Sequence, residues 1–342
     1  MLGRMQDSMQ DGNQDGMQER QQDVTHNKTD ALKIDIPADI EQTELFGNLD
    51  ANIKLIENAT GTSIVLRDDA LLIRGENTEL AVRIISRLID ALRIDPKLDR
   101  QRLGYIVDME ISGHQYDEKA NSKDIICYTH MGKPLRPKTA GQKEYIDKIR
   151  RSDMVFCIGP AGTGKTYLAC AMAVTAYKNR QIDRIILTRP AVEAGERLGF
   201  LPGDMQEKVD PYLRPLYDAM YDILGMESAE KLKEKGAVEV VPLAYMRGRT
   251  LDNAFIILDE AQNTTLEQMK MFLTRMGFNS KMVITGDITQ IDLPYGKASG
   301  LKEACSILKG VEGIEISYLT EVDVVRHELV KRIIKAFQKK GL

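Results

Sequence analysis

Met154-Val155-Phe156-Cys157-Ile158 runs directly into Gly159-Pro160-Ala161-Gly162-Thr163-Gly164-Lys165-Thr166. The first run is apolar throughout, as a strand buried on both faces must be. The second satisfies G-x-x-x-x-G-K-[ST] at every constrained position. A run of helix formers, Tyr167 to Ala176, follows. Strand, glycine-rich turn and helix is the context this motif needs. Its glycines let successive backbone N–H groups turn toward one chain of phosphates, and the helix N-terminus adds its dipole. The pattern predicts a nucleotide site made by Gly159, Pro160, Ala161, Gly162, Thr163, Gly164, Lys165 and Thr166, extended to Tyr167. Lys165 is expected to reach the β and γ phosphates, and Thr166 to offer its hydroxyl to Mg²⁺.

Two further strand ends carry polar groups suited to the same chemistry. Ala254-Phe255-Ile256-Ile257-Leu258 empties into Asp259-Glu260. Asp259 is placed to hold the Mg²⁺ shell opposite Thr166. Glu260, one residue on, points elsewhere and can polarise an attacking water, which favours hydrolysis over transfer to a bound acceptor. Met282-Val283-Ile284-Thr285-Gly286-Asp287-Ile288-Thr289-Gln290 repeats the design, and Gln290 is expected to sense the γ-phosphate. Gln142 enters the helix before the loop strand. A side-chain amide can pair with adenine at N6 and N7, so Gln142 predicts ATP rather than GTP.

Outward from these motifs, apolar strands at 185–188, 238–241 and 314–318 alternate with helical segments. The expected fold is α/β, a P-loop NTPase three-layer sandwich with a mostly parallel sheet, over residues 133–342. Ligands then sit at the carboxyl ends of the strands. Residues 1–30 are rich in Gln, Asp, Gly and Met and read as a disordered tail. Residues 31–95 read as a small α+β domain, with strands at 32–36, 64–66 and 71–73, a turn at Asp68-Asp69, and helices at 50–58 and 78–92. Residues 96–132 read as a linker opened by Pro96.

In the small domain, Leu45-Phe46-Gly47-Asn48-Leu49-Asp50-Ala51-Asn52-Ile53 followed by Thr60-Gly61-Thr62-Ser63-Ile64 resembles a KH module. Such modules clamp nucleic-acid backbone over a Gly-x-x-Gly loop. Asp50 stands where the second glycine is expected, and a carboxylate is unfavourable where phosphate approaches. Protein docking or scaffolding therefore stays open beside RNA binding.

Composition narrows the setting. With 47 Lys and Arg against 51 Asp and Glu, the chain is mildly acidic, which argues against a dedicated duplex-DNA binder. Local basic faces exist at 133–143 and at Tyr245-Met246-Arg247-Gly248-Arg249. No apolar run approaches the ~20 residues of a membrane span. The polar N-terminus is unlike a secretory leader. The four cysteines lack metal-like spacing, and a cytoplasmic protein is expected.

Taken together, Lys138-Thr139-Ala140-Gly141-Gln142, the phosphate loop, Thr188-Arg189-Pro190-Ala191-Val192-Glu193-Ala194-Gly195-Glu196, Leu198-Gly199-Phe200-Leu201-Pro202-Gly203-Asp204, Met246 to Thr250, Asp259-Glu260-Ala261-Gln262-Asn263, Gly286 to Gln290, and Asp323-Val324-Val325-Arg326-His327 resemble the PhoH-like family of P-loop ATPases, a branch close to superfamily 1 helicases. The resemblance implies ATP binding and hydrolysis, and a role in RNA metabolism beside an endoribonuclease of the rRNA-maturation type. It also implies a missing part. Superfamily 1 helicases complete the site with an arginine from a second motor, and only about fifty residues follow Gln290 here, with an amphipathic helix expected over 325–339. The arginine is then supplied in cis, or by another copy in a closed homo-oligomer such as a hexameric ring. Arg189, Arg247, Arg275 and Arg326 are the candidates, with Arg326 and Arg275 first. An ATP-dependent RNA helicase and a non-catalytic ATP-bound adaptor are the alternatives. An ATP-coupled nuclease lacks an acidic cluster of its own.

Overall fold

The computed structural model describes residues 31–94, 96, 98, 100–113, 124–190, 205–294, 296–325, 329, 330, 333 and 336. The tail expected at 1–30 lies outside them. Of the helix expected over 325–339, Leu329, Val330, Ile333 and Ala336 are described and helical, whereas Val325 is not helical.

The N-terminal unit is built on a three-stranded antiparallel sheet. Its strands β1 (Leu32–Asp35), β2 (Thr62–Arg67) and β3 (Ala70–Gly75) lie in the order β1-β3-β2. Asp68 and Asp69 close the β2–β3 hairpin with φ of 49° and 60°. Two residues at positive φ match the right-handed twist of the strands they join. The helices are α1 (Gln42–Phe46), α2 (Ala51–Thr60) and α3 (Thr78–Ile94). Ile53 and Ile56 of α2 and Ile84, Ile85 and Leu88 of α3 pack on Ile64, Leu71 and Ile73 of the sheet.

The segment expected to be a linker, 96–132, is instead partly built into the fold. It contains a helix, α4 (Arg100–Ser112), and half of a short hairpin. Leu103, Ile106 and Val107 of α4 are buried in the same core as α2 and α3. Their i, i+3, i+4 spacing is the helical signal that Pro96 and the nearby charges obscured. Tyr105 and Met109 pack the other way, against Ala140 and Val322 of the following unit. The hairpin pairs β4 (Cys127–Tyr128) with β5 (Pro134–Leu135) across the turn at Thr129 to Gly132.

The second unit is a six-stranded parallel sheet. Its strands are β6 (Met154–Ile158), β7 (Arg184–Arg189), β8 (Val238–Pro242), β9 (Ala254–Leu258), β10 (Lys281–Gly286) and β11 (Ile314–Tyr318), in the order β11-β6-β10-β9-β7-β8. Every neighbouring pair is parallel. Alternation divides the core in two. Val155, Cys157, Ile185, Leu187, Phe255, Ile257 and Val283 face one side. That side is covered by α5 (Ala140–Arg151), α6 (Lys165–Lys178) and α7 (Met205–Leu224), with α8 (Met226–Glu234) beside β8. Met154, Phe156, Ile158, Ile256, Leu258 and Ile284 face the other, under α9 (Leu266–Leu273) and α10 (Gly300–Ile307). The expected three-layer α/β sandwich is therefore present. Its register sets Ile158 beside Gly286 and Thr188 beside Leu258, so the loops after β6, β7, β9 and β10 meet at one edge.

Because Leu103 is fully enclosed, Leu103→Ala should lower unfolding stability by roughly 2–4 kcal/mol in a urea titration of the N-terminal unit's transition. A true linker residue would change it by less than about 0.5 kcal/mol.

Candidate nucleotide-binding and hydrolysis site

The phosphate loop, 159–164, turns because its glycines adopt conformations closed to other residues. Gly162 and Gly164 have φ of 87° and 81°. At Gly159 a Cβ would lie 2.6 Å from the carbonyl oxygen of Leu319, after β11. Gly164 caps α6 without a side-chain bond to the helix, which leaves the first-turn N–H groups for an anion. Lys165 is buried, and its Nζ donates to the carbonyls of Gly159 at 2.7 Å and Pro160 at 2.9 Å. The ammonium thus rests on the loop's own backbone.

The acids meet the loop as the strand ends require. Thr166 Oγ1 donates to Asp259 Oδ1 at 2.6 Å, and Thr285 Oγ1 donates to the same oxygen at 2.8 Å. One hydroxyl and one carboxylate of hard oxygen donors, side by side, suit an ion that takes its remaining ligands from phosphates and water. Among the described residues no group of three His, Cys, Asp or Glu forms a metal cage. Two buried atoms close by, Thr188 Oγ1 and Asp287 Oδ2, have no hydrogen-bond partner among the described residues. Buried polar atoms are nearly always paired, so these are positions for water or ligand atoms.

Glu260 leaves β9 in the left-handed region, φ 52°. Its Oε1 accepts from Arg189 Nη2 at 2.7 Å, and its Oε2 accepts from Gln262 Nε2 at 2.5 Å. Gln262 is buried, and its Oε1 accepts the backbone N–H of Asp287 at 2.9 Å. Arg189 ends β7, bonds the carbonyl of Tyr212 on α7 at 2.9 Å, and lies 3.8 Å from Asp259. Sequence reading gave Gln262 and Asp287 no role and did not favour Arg189. Their signal was position, each lying at or just past the carboxyl end of a parallel strand.

Gln142 is buried on the loop. Its Oε1 accepts the N–H of Lys138 at 2.7 Å, and its Nε2 donates to the carbonyl of Thr163 at 3.0 Å. Each end of the amide is thus committed once, which makes Gln142 a clamp on the phosphate loop. One N–H and one lone pair remain for a base. Beside it lies a cavity of about 420 Å³ between the β4–β5 hairpin, α5 and α6, lined by Met131, Leu135, Gln142, Gly162 and Tyr167 among others. Tyr167 donates its hydroxyl to Asp222 at 2.5 Å, and burial pushes its phenol well above the ordinary range, so the donor stays protonated. The imidazole of His130 is within 2.9 Å of the carbonyl of Asp222, which ties the hairpin to α7.

The remaining expected site residues stand as follows. Gln290 has an exposed side chain. Arg275 donates to the carbonyls of Met271 and Arg249 at 3.0 and 3.1 Å, so its guanidinium caps α9 and braces the chain before β9. Arg326 lies outside the described residues, as does the 191–204 part of the motifs. Arg247 is exposed.

A phosphate loop, its lysine and hydroxyl, and a pair of acids at one edge of a parallel sheet define a P-loop ATPase. Residues 134–338 match the family model described as PhoH-like protein. The chain is 52% identical over 303 residues to the PhoH-like protein of Bacillus subtilis (strain 168), covering 88% of this chain and 95% of that one. It is 52% identical over 309 residues to the PhoH-like protein of Mycobacterium tuberculosis (strain ATCC 25618 / H37Rv), covering 90% and 87%. Protein PhoH of Escherichia coli (strain K12) is 45% identical over 206 residues, 60% of this chain and 58% of that one. A solved structure of the Pif1 helicase from Candida albicans aligns over 58% of this chain and 42% of that chain with a TM-score of 0.32 and 13% identity, too slight a likeness to carry argument. The chain belongs to the PhoH-like family, and it is an ATP-binding protein and an ATP hydrolase. Among the described residues no helix is long and apolar enough to cross a membrane.

If Gln142 acts as the loop clamp, Gln142→Ala should weaken ATP and GTP together by about tenfold, the worth of two hydrogen bonds. Competition binding with both nucleotides checks this. Loss of the preference for ATP alone would instead assign the amide to the base.

Proposed function

We propose that the protein is a Mg²⁺-dependent ATPase that works in RNA metabolism, either on RNA or on an RNA-processing partner. The observation that carries the metal and the hydrolysis is the bond from Thr166 to Asp259, with Glu260 beside it on Arg189. Thr166 and Asp259 would hold Mg²⁺, directly or through water, against the phosphates. Lys165 would leave the loop carbonyls for the β and γ phosphates, and Glu260 would take the proton of the attacking water.

The RNA part of this reading rests on the N-terminal unit. Gly47 to Asp50 forms a tight turn in which Leu49 and Asp50 have φ of 53° and 60°. That is the backbone a Gly-x-x-Gly loop supplies, kept here without the second glycine. The turn borders a cavity of about 550 Å³, and the Leu49 side chain is 82% exposed. Apolar side chains at such a turn offer a surface for bases or for a partner protein, while Asp50 repels phosphate. An endoribonuclease of the rRNA-maturation type is the partner that the family resemblance suggests. Assembly into a ring of copies belongs to the same proposal, as the family resemblance suggests.

The test is ATP turnover with and without RNA, alongside the mass of the assembly by light scattering. RNA-stimulated turnover by an assembly larger than one chain supports the reading. Turnover indifferent to RNA and to the partner nuclease removes it. Lys165→Ala should abolish turnover and weaken ATP binding. Glu260→Gln should bind ATP and lose about 10²-fold or more in turnover, whereas Asp259→Asn should raise the Mg²⁺ concentration at half-maximal rate. A Mg²⁺ titration with the same midpoint in Asp259→Asn and wild type would take Asp259 out of the metal shell.

A further inference from the structure

The pair between Arg189 and Glu260 opposes the chemistry of the site. A carboxylate that takes a proton from water needs a lone pair directed at that water. Here one oxygen of Glu260 is held by Arg189 and the other by Gln262. The arrangement is braced from both sides, because Arg189 is anchored on Tyr212 and Gln262 on Asp287. Glu260 is thus oriented by two donors and paired with a guanidinium, with two of its four acceptor sites taken.

The cations of the site share a logic. Lys165 rests on two carbonyls of its own loop, and Arg189 rests on Glu260 and a carbonyl of α7. Both are held by acceptors weaker than a phosphate. Arg189 is also close to the metal-side acid, with Nε 3.8 Å from Asp259 Oδ2, and Asp259 bonds the first turn of α6. The pair is only partly enclosed, with side-chain exposures of 19% for Arg189 and 35% for Glu260, so an incoming anion can reach it. A guanidinium presents a planar fork that suits phosphate as well as carboxylate. A terminal phosphate offers more charge and more acceptor oxygens than one carboxylate.

We propose that Arg189 reads the terminal phosphate of ATP. In the structure it holds Glu260. When the terminal phosphate enters, the guanidinium exchanges the carboxylate for phosphate oxygens and frees Oε1 of Glu260 for the attacking water. ADP lacks that phosphate and leaves the pair in place. The inference rests on the ATPase reading above, and it supplies the site's arginine from within the chain.

The experiment is equilibrium binding of ADP and of a non-hydrolysable ATP analogue to the full chain with Mg²⁺, by calorimetry. Arg189→Ala should lose about tenfold in affinity for the analogue, the size of one charge-assisted hydrogen bond, and keep its affinity for ADP. Retained ADP binding also shows that the variant is folded. Glu260→Gln should tighten the analogue about threefold or more while Arg189 is present, because the competing carboxylate is gone. That gain should shrink to nothing in the Arg189→Ala background. Equal losses for ADP and analogue in Arg189→Ala would overturn the proposal. So would a Glu260→Gln gain of the same size in both backgrounds. A wild-type chain that binds neither nucleotide would overturn the ATPase reading itself.

Discussion

One oxygen of Asp259 accepts the hydroxyls of Thr166 and Thr285, and the site is organised around that point. A buried carboxylate is costly unless its charge is answered by hydrogen bonds or a cation. Here the answer comes from β10 and from the start of α6, whose dipole favours a negative charge. The backbone N–H of Asp259 donates to Thr188 on β7, which adds a third element. Parallel register is what makes this meeting possible, since it brings the carboxyl ends of β6, β7, β9 and β10 to one level. An antiparallel neighbour would present its amino end there instead.

The same requirement explains the resting positions of the cations. A phosphate site is built from excess positive potential, and acceptors of the protein meet that potential here. The loop carbonyls of Gly159 and Pro160 meet it for Lys165, and Glu260 meets it for Arg189. These partners differ in consequence. A carbonyl released by Lys165 gains no catalytic power, while a carboxylate released by Arg189 would be able to act as the proposed base. Binding energy from the terminal phosphate can therefore be converted into an active site by one exchange of partners.

Legibility in the sequence followed chain locality. The placement of the phosphate loop, Asp259 and Glu260 was readable because it is set by a few contiguous residues after an apolar run. The strands were readable because residues buried on both faces are apolar at every position. The α4 helix was missed because its buried positions, Leu103, Ile106 and Val107, sit among charges behind a proline. The clamp role of Gln142 depends on Thr163, 21 residues away, and the ion pair of Arg189 on Glu260, 71 residues away. No local pattern encodes such partners. Arg275 is a further case, since its place near the acidic motif is legible but its bonds to the carbonyls of Met271 and Arg249 are not.

The α4 helix gives the N-terminal unit a physical route to this site. One face belongs to the core of that unit, and the other meets the start of α5, where the Tyr105 hydroxyl accepts the N–H of Ala140 at 2.8 Å. Ala140 opens α5, so its N–H has no partner within the helix. Next to it, Thr139 donates to Asp323 at 2.6 Å, and Gln142 holds Thr163 in the phosphate loop. Val325 donates its backbone N–H to Gly162 at 3.0 Å, so the chain after Asp323 touches the loop as well. Tyr105 is buried at this junction, so the contact that joins the N-terminal unit to the ATPase unit lies two residues from the amide that holds the phosphate loop.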